Sequence, residues 1–261
     1  MEILGYLSSV LIGISLGLIG GGGSILTIPI LVYLFKINPE NATSYSLFIV
    51  GTTSLLGTYK HYKLGNLQLK PALYFGIPSV ISLLLTRKFI LPSLPSKIFE
   101  IGQMLITKDI LIMIVFSILM IFAAFSMIRK QPETINKEIN LTKLIVLGLV
   151  IGIITGFLGA GGGFLIIPAL VLFGNLSMKQ AIGSSLFIIF INSTLGFLGD
   201  VLNGVVINYT FLISITLIAS IGILIGTKLS KTIDGKKLKP AFGWFVLLMG
   251  IYIISKEFLN M

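Results

Sequence analysis

The chain has 261 residues, 55% of them hydrophobic and only 11% charged, with a mean hydropathy of +1.05 and a formal net charge of +10. No soluble domain of this size has that composition, and apolar runs of about 17–25 residues along the whole length read as membrane spans. In so apolar a chain the basic excess sets orientation rather than binding nucleic acid; the lack of cysteine excludes disulfides, thiolate metal sites and cysteine nucleophiles.

Ten apolar segments follow one another, at residues 3–19, 24–35, 42–58, 71–86, 109–128, 142–158, 163–174, 180–198, 209–229 and 240–256. The first has no basic n-region and no small-residue cleavage site before the pattern continues, so it is read as a retained span rather than a signal peptide. Segments 24–35 and 163–174 are too short: about 12 residues make ~18 Å of helix against a ~30 Å hydrocarbon core. Each follows a glycine cluster, "GLIGGGGSILTIP" at Gly17–Pro29 and "GFLGAGGGFLIIP" at Gly156–Pro168. The stretch 92–108, "PSLPSKIFEIGQMLITK", is the least regular and admits an interfacial helix.

The two clusters belong to a repeat. Shifted by 139 positions, Gly13–Gly57 lies on Gly152–Gly196 without a gap, and 19 of the 45 positions are identical. Farther on, Gly65 falls on Gly204. The expected fold is therefore an all-α polytopic membrane protein. It has two inverted-topology repeats of five apolar segments, each with a short discontinuous helix after its glycine cluster. Residues 1–128 form the first repeat, 129–143 ("RKQPETINKEINLTK") a polar cytoplasmic linker and 144–261 the second. An odd number of segments inserts the second copy upside down. The charges agree: 13 Lys or Arg fall on one face, including Lys60, Lys63, Lys70 and Lys228, and 6 on the other, including Lys36, Arg87 and Lys88. The richer face is read as cytoplasmic, with both termini outside, in a cell (inner) membrane.

Irregular backbone at membrane depth is tolerated only where protein or a wet cavity satisfies it. A helix that starts there offers unbonded N–H groups and about half a positive charge. Two such starts meeting near the midplane would hold an anion without a buried Lys or Arg. The candidate substrate-binding residues are Gly21, Gly22, Gly23 and Ser24 in the first cluster and Gly161, Gly162 and Gly163 in the second. Ser24 is expected to cap its helix, whereas Gly163 leaves the second start open. Ser46, Ser184, Ser185 and Asn192 could complete the anion's hydrogen bonds; Ser46 and Ser185 are repeat equivalents. The four-residue spacings Gly13/Gly17 and Gly152/Gly156 are read as helix packing.

At these residues the chain resembles the sulfite exporter TauE/SafE family of membrane permeases. The resemblance rests on Gly20–Pro29 and Gly159–Pro168, followed by "ATSYSLF" at Ala42–Phe48 and "AIGSSLF" at Ala181–Phe187. The first copy departs from the pattern, with Thr43-Ser44-Tyr45 where the second has Ile182-Gly183-Ser184. The resemblance implies transport of sulfite, a sulfonate or a related sulfur-containing organic anion. Alternating access around a midplane site would carry it, with a small anionic solute and membrane lipids as partners and with no cofactor or metal. A monomer and a homodimer are both compatible with the sequence.

A passive anion channel is the alternative, and an assembly scaffold another. An intramembrane enzyme fits less well, because one histidine, no cysteine and no buried carboxylate pair offer no catalytic cluster. His61 and Asp200, also repeat equivalents, are expected in loops at opposite faces. Proton coupling is the sharper reading of them and loop polarity the blander one. Arg87 and Lys88 are expected at the external end of a span, gathering anions or snorkelling.

Overall fold

The structure, a computed structural model, describes residues 2–101, 104–128, 139–230 and 235–260. Helix α1 (Glu2–Ile19) ends at Gly20, and α2 (Gly22–Pro29) starts two residues later. Pro29 lacks the N–H that would extend α2, and the chain passes there into a π-helical turn, Ile30–Leu34. Helix α3 (Pro39–Lys63) starts where Asn38 accepts from the Asn41 N–H at 2.9 Å and Pro39 takes the first turn. Helix α4 (Leu69–Leu85) continues through a second π turn, Thr86–Ile90, into a short turn, α5 (Leu91–Ser93).

Helix α6 (Lys108–Ile128) closes the first half. The second half repeats the order with α7 (Leu141–Leu158), α8 (Gly163–Phe173), α9 (Met178–Leu202), α10 (Tyr209–Leu229) and α11 (Gly235–Asn260). A capping box of Ser177 and Gln180 starts α9, and Asn140 and Asn208 cap α7 and α10. All ten apolar segments are helical. The linker 129–143 lies outside the described residues up to position 138.

The fold is all-α apart from the stretch 92–108, where the expected interfacial helix is corrected. Past the end of α5 its described residues hold no interfacial helix; strands β1 (Lys97–Ile101) and β2 (Met104–Thr107) pair antiparallel, with Lys97 opposite Thr107 and Ile101 opposite Met104. Isoleucine, phenylalanine and threonine favour a pleated surface over a helix, and Pro95 stops any helix running on from α5.

Among the described residues five helical stretches are long and apolar enough to cross a membrane: Leu69–Ser93, Lys108–Ile128, Leu141–Leu158, Met178–Leu202 and Tyr209–Leu229. Their outward faces carry bare Leu, Ile and Phe side chains, such as Ile77, Phe122 and Leu217, each more than half exposed. Lipid would cover such surface.

The first two helices form a hairpin. The Phe35 ring, after α2, packs on Gly5 near the start of α1. Helices α7 and α8 do the same, with the Asn140 N–H donating to the Phe173 carbonyl at 3.0 Å. Between the hairpins, α3 packs on α9; α1 packs on α10, α7 on α4, and α6 on α11. Exchanging each helix for its equivalent in the other half (α1 for α7, α3 for α9, α4 for α10, α6 for α11) returns the same set of pairs. The packing glycines follow suit. A methyl at Gly13 would fall 1.9 Å from the Ala219 carbonyl oxygen, and one at Gly152 would fall 2.3 Å from that of Ser79. Both helix pairs therefore approach backbone to backbone.

Candidate functional site

The tips of the two hairpins touch. A Cβ on Gly21 would lie 2.3 Å from the Gly163 carbonyl carbon, and one on Gly163 would lie 2.5 Å from the Gly21 Cα. Only glycine at both positions allows this approach. The bends need it too: Gly20, Gly159, Gly161 and Gly162 all have φ between +64° and +75°. Neither helix that leaves the contact has a side-chain cap. The N-cap of α2 is Gly21 and that of α8 is Gly162. Ser24 is therefore not the cap expected of it. The helix starts two residues earlier, with Gly22, Gly23 and Ser24 in its first turn.

Helices α3 and α9, which pack on α2 and α8, carry buried polar atoms without partners. Among the described residues, Ser46 Oγ, Ser54 Oγ, Asn192 Oδ1 and Ser193 Oγ are buried and make no hydrogen bond. All four sit on α3 and α9, and Ser54 and Ser193 are repeat equivalents. An orphaned buried polar group costs about 1–3 kcal/mol, so four on two packed helices are unusual unless something else engages them. Ser193 connects them to the break: a Cβ on Gly161 would fall 3.0 Å from its Oγ. Asn192 donates through Nδ2 to Ser79 Oγ at 2.7 Å. That hydroxyl can equally donate, so turning the amide over keeps the bond and aims the NH2 group at the orphaned side.

The other expected residues divide. Ser185 donates to the Gly20 carbonyl at 3.2 Å and to the Ile182 carbonyl at 2.9 Å, which ties α9 to the first glycine cluster. Its equivalent Ser46 has no such bond. Ser184 faces away, accepting from the Gln68 N–H at 2.9 Å in the loop before α4.

Sequence reasoning missed the strongest polar cluster. Arg87 is 3% exposed and Asp200 4%. They form a two-pronged ion pair, Nε donating to Oδ1 at 2.6 Å and Nη2 to Oδ2. Ser44 donates to Asp200 Oδ2 at 2.6 Å and accepts from Arg87 Nη2 at 3.1 Å; Thr43 Oγ1 accepts from the same nitrogen at 3.2 Å. Arg87 Nη1 donates to the Gly156 carbonyl at 2.9 Å. The expectation that Arg87 sits at an exposed mouth is corrected: the π turn carries α4 past its apolar segment and folds the guanidinium inward. The loop placement of His61 and Asp200 is corrected as well, because both are buried and helical, on α3 and α9. The available signal was the departure at Thr43-Ser44, hydroxyl residues where the second copy has Ile182-Gly183.

The equivalent place at the other end is built differently. A methyl on Gly20 would meet Ile182 Cγ2 at 2.5 Å, as one on Gly159 would meet Thr43 Cβ at 2.4 Å. His61 then packs against Gly183 as Asp200 does against Ser44. Gly156 packs on the Leu83 carbonyl and Gly17 on that of Ile223, a register of 223 − 83 = 140 in this helix pair. Arg87 therefore corresponds to Thr227. Thr227 and His61 line a cleft of about 420 Å³ with Lys60, Lys63, Leu64, Leu224 and Lys228.

Comparison with known proteins finds relatives along nearly the whole chain. The profile of the sulfite exporter TauE/SafE family matches residues 6–253. A Bacillus subtilis protein named probable membrane transporter protein YdhB is 28% identical over 94% of this chain and 96% of its own. A probable membrane transporter protein of Xylella fastidiosa is 28% identical over 96% and 94%. Probable membrane transporter protein MJ0441 of Methanocaldococcus jannaschii is 26% identical over 94% and 92%. The chain is a multi-pass membrane protein, and it belongs to the sulfite exporter TauE/SafE family of membrane transporters.

Proposed function

We propose that this protein is a secondary transporter for a small anion, a sulfite, sulfonate or related sulfur-containing organic anion. The repeats are residues 1–128 and 144–261, joined by the linker 129–143, and they are inverted relative to one another. The exchangeable helix pairs, and hairpins whose mouths lie beside Asn38 and beside Ser177, at opposite ends of α3 and α9, support that arrangement. The substrate site lies where the hairpin tips meet. Gly21–Gly23 and Gly161–Gly163 give the backbone donors, with Ser46, Ser54, Ser185, Asn192 and Ser193 beside them. Ser184 falls outside it, because its hydroxyl is engaged by Gln68; Ser24 contributes at most through the first turn of α2.

The observation that carries the reading is the set of four orphaned polar atoms on α3 and α9, the helices packed on two helix starts that lack side-chain caps. The tips are in contact, so binding requires them to part, as alternation between two access states would do. By the charge bias the Lys60 end faces the cytoplasm and both termini face outward. The Arg87–Asp200 pair then closes the outer route, a state suited to loading a substrate for export.

The test is counterflow of labelled sulfite and labelled sulfonates in liposomes carrying the purified protein. Saturable uptake accelerated by unlabelled sulfite inside is expected. A rate linear in concentration without counterflow would identify a channel, and no flux of any anion in the class would end the transport reading.

A further inference from the structure

The cleft beside His61 has an unusual origin. At the opposite end the same scaffold positions hold Arg87, Asp200 and Ser44, which fill the space with an ion pair. Here they hold Thr227, His61 and Gly183; the Asn66 carbonyl fills the place beside Gly183, no ion pair forms among the described residues, and a cleft of about 420 Å³ stays open against His61 and Thr227. Ligand pockets in proteins are of this size. Its polar lining is cationic. Lys60 is anchored, donating to Thr227 Oγ1 at 2.9 Å, while Lys63 and Lys228 stand at the rim. Among the described residues no carboxylate pairs with any of the three. The floor is close to the hairpin tips, since His61 packs on Gly183 and the turn Ile182–Ser185 bonds Gly20 through Ser185.

We propose that this cleft is a loading site for a small divalent or monovalent oxyanion, held by Lys60, Lys63 and Lys228 with His61 and Thr227 beneath it. The identity of the anion as transported substrate rests on the transporter reading; the existence of the site does not. Clustered cations at a cleft raise the local anion concentration and the rate of encounter.

The chain has no cysteine, so a single Leu64→Cys change gives a unique thiol at the cleft. The full-length protein, in nanodiscs of neutral phosphatidylcholine, is reacted with an anionic and a cationic methanethiosulfonate of similar size. The anionic reagent should react about tenfold faster. Millimolar sodium sulfate should slow it, and adding K60Q, K63Q and K228Q should abolish both the preference and the protection. The pair K63Q/K228Q, which leaves the Thr227 contact intact, should reduce both. Equal rates for the two reagents, or no protection by sulfate, would overturn the proposal. So would protection by phosphatidylglycerol alone, which would make the cleft a lipid site. Sulfate protection in a protein without sulfite flux would leave the loading site standing and sink the transport reading instead.

Discussion

The two ends of this molecule are built on one plan and finished in opposite ways. At one end the chain of contacts runs from Gly159 through Thr43 and Ser44 to Asp200 and Arg87. At the other it runs from Gly20 through Ile182 and Gly183 to His61 and Thr227. The first is closed by an ion pair whose every polar arm is engaged, and the second opens into a cationic cleft. The difference teaches that equivalent helix pairs can be finished differently: different residues at equivalent positions fill one end with an ion pair and leave the other open to a cleft. A buried ion pair adds little net stability over an apolar filling, because desolvation offsets the Coulombic gain. Its retention at only one end points to closure rather than to folding.

That contrast can be broken at the locked end first. Arg87→Met leaves Asp200 charged, buried and alone, and should cost about 3–5 kcal/mol in the unfolding of detergent-solubilised protein. Arg87→Met with Asp200→Leu should recover nearly all of it while raising the reactivity of outward-end cysteine probes. If the double variant stays as unstable as the single, or its probes stay protected, the pair is not a lock. Next comes the junction of the two halves. Gly163→Ala places a methyl 2.5 Å from Gly21 Cα and should lower stability by about 1–3 kcal/mol, with loss of sulfite flux. A variant with full flux would show that the tips need not meet so closely.

A smaller effect with opposite signs in two assays sharpens the account. Ser193→Ala removes an orphaned hydroxyl, so the empty protein should gain about 1 kcal/mol in thermal unfolding. The same change removes a hydrogen bond to a charged ligand, worth about 1.5–3 kcal/mol, and KM for sulfite should rise tenfold or more. Unchanged KM would take Ser193 out of the site. The smallest change is expected at the open end, where His61→Leu should shift stability by about 1 kcal/mol or less, against the large cost at its counterpart Asp200. A cost as large as that for Arg87→Met would mean the two ends are equally locked.

Much of this was legible in the sequence, for local reasons. Apolar runs located ten of the eleven helices among the described residues, missing only the short α5, and the glycine clusters marked both breaks because their backbone conformations exclude most other residues. Ser46, Ser185 and Asn192 stood out as polar groups in apolar segments. The Arg87–Asp200 pair was not legible. Its partners are 113 residues apart, and each lies just past the apolar run that defined its span, at 86 and at 198. The π turn that swings Arg87 inward leaves no composition signal. The match of Arg87 to Thr227 was hidden too, because the repeat slips by one residue between α3/α9 and α4/α10. The strands at 97–107 were masked by their apolar content, which reads equally as helix when strand alternation is short.

Selenite tests the central claim most directly, being close to sulfite in shape and charge and carrying an anomalous scatterer. Crystals grown with selenite should place selenium between the parted hairpin tips, within hydrogen-bonding reach of Ser193 Oγ, Asn192 and the first amides of α8. Selenium found only at the protein surface, with Gly21 and Gly163 still pressed together, would contradict it.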